Sequence, residues 1–383
     1  MPWRFGCDVT EFRALFDGWS MQNGIVLPAG PMTVDQLAFE RDGTSTYTAA
    51  TFAGSSSTSI VAGDKQRATD TIPASALGFG VSIPKGTLLW SRIRVNLPAG
   101  SDLLTNVASR MTGGYASYFD PTTQTPTIYG TGTFTFVSGE SVLNIGYGPT
   151  VLVGKCATGG ALSVIALGDS IVDGQGDTLN PQQSTGFGFF QRAQVDGSNG
   201  NPIAGLNLSR NGTATSHWLD ATARTYWTPY LAYANVVVDE LGTNDFGTGP
   251  GSTAASSTYT ALQSLWSIYR AAGVQKIVRT RLQPRSGSTD SWATAANQSV
   301  ATGWAPGGQR DILNGNFATA LSSGAIDALV DLPGVWEDQA NPGRWLTNGA
   351  ANYPTTDGTH PSATFHGLGA GQLRAALLGV TVQ

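Results

Sequence analysis

Up to about residue 158 the apolar positions fall in short, closely spaced runs: "SIVAGD", "FGVSI", "TLLWSRIRVNL", "PTIYG", "TFTFVSG" and "VLNIGYG". They are rich in Val, Ile, Thr and aromatics, and Gly, Pro, Asp or Ser punctuates most of them, which predicts strands joined by turns. In "WSRIRVNL", Arg92 and Arg94 share one face, opposite Ile93 and Val95. Only "VTEFRALFDGW", near the start, suits a short helix. Many short strands with turn signals predict an N-terminal β-sandwich of jelly-roll type over residues 1–158.

From about residue 160 the rhythm changes. The buried-strand runs "LSVIAL", "ANVVVDEL", "QKIVRTRL" and "IDALVDL" alternate with the helix-like "GFGFFQRAQV", "STYTALQSLWSIYRAAG", "RDILNGNFATALSSG" and "GAGQLRAALLGV". In the second helix Tyr259, Leu262, Leu265, Trp266 and Tyr269 fall near one face. This alternation predicts a parallel sheet with helices on both faces over residues 159–383. The joint falls in the glycine-dense "GKCATGGALS", and no internal repeat is evident.

Composition adds limits. Charged residues are 12% of the 383-residue chain, well under the ~25% usual in globular proteins. The formal net charge is −5, and with no long basic run it argues against nucleic acid as a partner. No apolar stretch approaches the ~18 residues of a membrane span. The opening "MPWRFGCDVTEF" shows no basic segment followed by an apolar one, so no signal peptide is visible. The ten Trp suit an exported carbohydrate-active protein whose leader has been removed. Cys7 and Cys156 read as two separate thiols in preference to a bridge, and their spacing suggests no metal. "LGFGVS" and "GTGPGS" lack the strand–loop–helix setting of a phosphate loop and read as turns. No cofactor site emerges.

Ligands of open parallel sheets bind beyond the carboxyl ends of the strands. Gly168-Asp169-Ser170 follows "SVIAL", Asn211-Gly212 follows "AGLNL", and Gly242-Thr243-Asn244-Asp245 follows "VVVDEL". "TDGTHP", with Asp357 and His360, precedes the last helix. Singly, each block reads as an ordinary turn or cap. In this order and at these strand ends they resemble the blocks of the SGNH (GDSL) hydrolase superfamily, from about residue 160 to the end.

The resemblance implies a flavodoxin-like three-layer α/β/α domain, behind the β-sandwich, and a serine esterase working without metal or cofactor. Ser170 would be the nucleophile, at a turn leading into a helix N-terminus that favours negative charge. His360 would be its base and Asp357 the orienting carboxylate. The oxyanion would be held by the Ser170 and Gly212 N–H groups and the Asn244 amide, with Gly212 giving substrate room to approach the backbone. Asp169 and Asp245 read as loop braces, and His366 as structural. His217, Trp218 and Trp345 are candidate pocket residues. Trp218, Trp336 and Trp345 would stack on sugars if exposed, with core packing the alternative for each. The long irregular approach to "DGTHP" suggests a site wall without a greasy lid. The expected substrate is a small or carbohydrate ester, of acetyl type. The alternatives are a hydrolase of longer esters, or a non-catalytic surface or phage component.

Overall fold

A computed structural model describes residues 1–101, 116–117, 128–131, 142–143, 148–178, 187–195, 201–246 and 254–383. The strands expected in "PTIYG", "TFTFVSG" and "VLNIGYG" lie largely outside these residues, as does the turn "GTGPGS".

The first part of the chain contains β1 (Pro2–Arg4), β2 (Val9–Phe16), β3 (Trp19–Gln22), β4 (Ile25–Pro28), β5 (Met32–Arg41), β6 (Tyr47–Ala49), β7 (Thr58–Ile60), β8 (Arg67–Ala68), β9 (Ile72–Pro73), β10 (Leu88–Asn96) and β11 (Val151–Cys156). One antiparallel sheet runs β1-β10-β5-β6, with β7 also on β5. A second runs β11-β2-β8, with β9 also on β2. Phe12, Ala14 and Phe16 of β2 share one core with Val34, Leu37 and Phe39 of β5 and Leu89 of β10. The Phe12 and Phe39 rings meet edge to face at 5.0 Å. "FGVSI" forms no strand, although Ile83 bridges Val9.

Two expectations are corrected here. "VTEFRALF" is strand β2, not a helix. Its apolar residues fit either period, and pairing along both edges decides for the strand. Cys7 and Cys156 form a disulfide, their Cα atoms 5.8 Å apart. The β2–β11 ladder, in which Val9 faces Cys156, brings them together.

The second part contains β12 (Ser163–Leu167), α1 (Gly188–Gln194), β13 (Ala204–Asn207), α2 (Thr215–Leu219), α3 (Ala221–Trp227), β14 (Val236–Asp239), α4 (Ala255–Ala271), β15 (Lys276–Thr280), β16 (Ser286–Ser288), β17 (Gln298–Val300), α5 (Gln309–Ser322), β18 (Ala328–Val330), α6 (Pro333–Trp336) and α7 (Ala363–Gly379). Five parallel strands are ordered β13-β12-β14-β15-β18. In sequence terms this is 2-1-3-4-5, the flavodoxin-like order, and its switch point lies where β12 meets β14. The central strands are apolar on both faces because helices cover both. Ile165, Leu167, Val237 and Ile277 pack with residues of α2–α5, while Val164, Ala166, Val236 and Val278 pack with residues of α1, α6 and α7.

The two parts are packed together. Leu15, Trp19 and Met21 belong to the cluster that holds Leu206, Leu208, Trp218 and Trp227. Tyr230 donates its hydroxyl to the buried Asp17. Lys65 sits 4.1 Å from the centre of the Tyr226 ring and bonds Thr225 Oγ1 at 2.8 Å.

Candidate active site

β12 carries Ser170 to the switch point of the sheet. Ser170 is buried, at 4% exposure. Its Oγ lies 2.8 Å from His360 Nε2, and His360 Nδ1 lies 2.6 Å from Asp357 Oδ2. Asp357 Oδ1 also accepts from the Thr359 and His360 backbone N–H groups, each at 2.9 Å. Burial acts to raise the Asp357 carboxyl, but the His360 ring and these N–H groups hold it well below the usual carboxylate range. An ionised Asp357 fixes the ring proton on Nδ1, which leaves Nε2 to accept from the Ser170 hydroxyl.

The segment after Ser170 is a run of turns to Gly176, and α1 begins at Gly188, within the expected "GFGFFQRAQV". One expectation is corrected: no helix N-terminus directly follows the serine to favour negative charge there. Gln175 N–H donates to Ser170 O at 2.9 Å and Ile171 N–H to Asp169 Oδ1 at 2.9 Å, so local bonds set the serine's orientation.

The loop carrying Asp357 and His360 is held at Gly358. Its φ is +77°, and a Cβ there would sit 1.8 Å from Ser286 O. Gly358 O accepts from Ser286 N–H at 3.1 Å and from the Trp345 indole at 3.0 Å. The sugar-stacking expectation is thereby corrected: Trp218, Trp336 and Trp345 are buried at 1%, 0% and 0%. Trp345 braces the His360 loop from beneath, Trp336 donates its indole to Phe365 O at 2.7 Å, and Trp218 packs edge to face on Trp227.

Gly212 and Asn244 come to the same end of the sheet. Asn244 Nδ2 donates to Thr213 O at 3.0 Å, which ties its loop to that of Gly212 and leaves its second amide hydrogen for another acceptor. Among the described residues, neither the Ser170 nor the Gly212 N–H donates to a protein acceptor. Gly212 has φ +73°, and a Cβ there would meet Asn23 Oδ1 at 2.2 Å. The space expected for substrate beside Gly212 is therefore taken by a side chain of the first part of the chain. Asn23 and Gly24 form the tip of the β3–β4 hairpin, and Asn23 N–H donates to Asn211 O at 3.2 Å. Gly24 rests on the His217 ring, so His217 faces the hairpin. Its Nδ1 accepts from Ala214 N–H at 3.0 Å. Asp245 braces α2, accepting from the Thr215 hydroxyl at 3.0 Å.

Beneath Ser170, Asp169 pairs with Glu240, an acid that the sequence did not mark. Asp169 N–H reaches Glu240 Oε2 at 3.3 Å, and both residues are fully buried. Burial pushes the Asp169 carboxyl up to about 6, against hydrogen bonds from Ile171 and Glu240. Burial, then the charge of Asp169, pushes Glu240 well above the usual range, so Glu240 keeps the proton.

His366, on α7, is also fully buried. Its Nδ1 accepts from Phe189 N–H at 3.1 Å and its Nε2 donates to Gln175 O at 3.0 Å, which anchors the Ser170 turn. Burial pushes it down to about 4. The fold thus favours the neutral ring. Stability is complete above the unfolded value of about 6.5 and falls as pH drops toward about 4, by about 3 kcal/mol for this group. Asp169, being raised, acts oppositely over part of that range, so a variant isolates the histidine. His366→Gln keeps an acceptor and a donor, and its Tm should fall less than that of wild type between pH 7 and 4.5. Parallel acid limbs would contradict this role.

Among the described residues no group of three or more His, Cys, Asp and Glu could hold a metal, and no helix is long and apolar enough to cross a membrane. No family model matches the sequence, and no curated protein is similar to it at a significant level. Solved structures do match. A GDSL-like lipase from Bacteroides thetaiotaomicron is 16% identical over 56% of this chain and 87% of its own, with a TM-score of 0.36. A member of the lipolytic G-D-S-L family from Veillonella parvula is 15% identical over 57% and 100%, with a TM-score of 0.38. An acetyl xylan esterase is 14% identical over 56% and 99%, with a TM-score of 0.40. Scores this low assign no activity to this chain. By the order of its own motifs and of its parallel strands, the chain resembles the SGNH (GDSL) hydrolases.

Proposed function

We propose that this chain is a serine ester hydrolase that works through an acyl-enzyme. The observation that carries the reading is the hydrogen-bonded series Ser170 Oγ, His360 and Asp357 at 2.8 and 2.6 Å. Ser170 Oγ attacks the ester carbonyl as its proton passes to His360 Nε2. The tetrahedral oxyanion is received by the Ser170 and Gly212 N–H groups and the free Asn244 amide hydrogen. Its collapse breaks the bond to the alcohol, which takes the proton from His360. Water, activated by the same imidazole, then releases the acid. Asp357 stays ionised throughout and stabilises the imidazolium. The intact series speaks against a non-catalytic surface component.

The two antiparallel sheets of residues 1–158 are read as a sandwich that walls one flank of this site, with the Asn23–Gly24 tip as the wall's edge. The Cys7–Cys156 bridge fits an oxidising compartment. Short acyl groups, acetyl above all, are the favoured substrates, on a polar carrier such as a carbohydrate. One observation favours longer esters: Ile25 and Leu27 on the hairpin are 63% and 42% exposed. A series of p-nitrophenyl esters from acetyl to palmitoyl separates the two. The expected maximum lies at two to four carbons, roughly what a buried serine admits. A maximum beyond about eight carbons would assign the hairpin to acyl binding, and no hydrolysis of any member would end the esterase reading.

A further inference from the structure

β15 ends beside the site, and the chain continues as "RLQPRSGS" across the carboxyl ends of the strands. Arg310 and Asn314 on α5 donate to Leu282 O at 3.0 and 3.2 Å and anchor the start of this segment. Ser286 N–H bonds Gly358 O at 3.1 Å, so Arg285 stands one residue from the loop that carries Asp357 and His360. Its backbone is also fixed, since Arg285 O accepts from Ala301 N–H at 3.1 Å. The guanidinium carbon lies 5.8 Å from the centre of the Trp304 ring. Trp304 in turn meets Phe246 edge to face, and Phe246 follows directly on Asn244-Asp245. Arg285 is thus linked to the His360 loop through Ser286 and to the Asn244 loop through Trp304 and Phe246.

Three other partly or fully buried arginines near the sheet end are paired with acids. Arg279 meets Asp239 at 3.0 Å, Arg192 meets Asp177, and Arg310 holds Glu337 with two nitrogens. Arg285 is partly buried, yet its guanidinium has no hydrogen-bond or ion-pair acceptor among the described residues. Burial lowers its basicity, while Asp169 and Asp357 are near enough to oppose that. With no protein acceptor and some solvent access, this fork of donors is free to receive a ligand group. It suits an anionic group that arrives with the substrate, and a carboxylate matches its planar, bidentate geometry. The arginine also offsets the negative field of Asp169 and Asp357, which would otherwise repel such a substrate.

We propose that Arg285 selects esters whose alcohol part carries a carboxylate, such as O-acetylated uronic acid units. The side of the ester follows from the loop: His360 hands its proton to the departing alcohol, and Arg285 is fixed next to that loop. The proposal rests on the esterase reading above and gives it a substrate class.

The test compares the O-acetylated methyl glycoside of a uronic acid with the same acetate on the neutral methyl hexoside. Wild type, Arg285→Gln and Arg285→Lys are measured on both at low ionic strength. Wild type should favour the uronate by about 10-fold or more in kcat/KM, carried mainly by KM, as one charge-assisted pair allows. In Arg285→Gln that ratio should fall to about 1, and Arg285→Lys should restore part of it. A merely structural arginine would slow both esters together and leave the ratio where it was, which would overturn the proposal. So would a wild type that hydrolyses both esters without preference. A wild type that hydrolyses neither these esters nor p-nitrophenyl acetate would overturn the esterase reading itself.

Discussion

Ser170→Ala should lower kcat on p-nitrophenyl acetate by as much as ~10⁶, the scale seen when one member of a serine triad is removed. The size follows from the chemistry. Without Oγ no acyl-enzyme forms, and what remains is water reacting near preset donors. The loss should come without loss of fold. The serine's backbone bond to Gln175 and the adjoining Ile171–Asp169 bond do not involve Oγ. Only the contact with His360 disappears. Single-turnover kinetics and a melting curve measured together check both halves of the claim. Equal slow release of nitrophenol by variant and wild type would remove Ser170 from the chemistry.

Removing residues 1–158 should have the largest effect on stability, leaving a fragment that is insoluble or melts without cooperativity. The parallel-sheet half does not close its own core. Leu15, Trp19 and Met21 fill a cluster whose other members include Leu206, Trp218, Tyr230 and Leu231. Burial of three such side chains contributes roughly 5–9 kcal/mol, against a total stability for ordinary domains of about 5–15 kcal/mol. Tyr230, 1% exposed, would also lose its bond to Asp17. At the site, Asn23 would no longer fill the space beside Gly212. Gel filtration, calorimetry and an esterase assay on the fragment decide the matter. A soluble fragment with a sharp melting transition and full kcat would mean that the first part is only an accessory.

The residues proposed to react were legible in the sequence because each lies close to a local signal. Ser170, Gly212 and Asn244 follow apolar strand runs at the switch of a parallel sheet, and Asp357 and His360 share one short loop. What decides the rest is long-range packing. Val9, Phe12, Leu15 and Phe16 satisfy a helical spacing as well as a strand, and only pairing with β11, β8 and β9 selects the strand. Cys7 and Cys156 are 149 residues apart, and their pairing depends on the register of β2 against β11. Trp345 lies in an irregular stretch without a periodic apolar pattern, yet its indole bonds the loop that carries His360. Asn23, Glu240 and Arg285 carry no motif. Each reaches the site from a different part of the chain, through a hairpin tip, a strand end and a loop crossing.

The hairpin that rests on Gly212 and His217 also constrains how the molecule is made. Trp19 and Met21 are synthesised long before Leu206, Leu208 and Trp218, so this apolar hairpin must wait for its partners as the chain emerges. Contacts so distant in sequence form late. During refolding, helices and local hairpins can therefore be in place while the loop around Gly212 still lacks Asn23 and Gly24. Hydrolysis of the proposed esters is then expected to return only after the helices and local hairpins have formed.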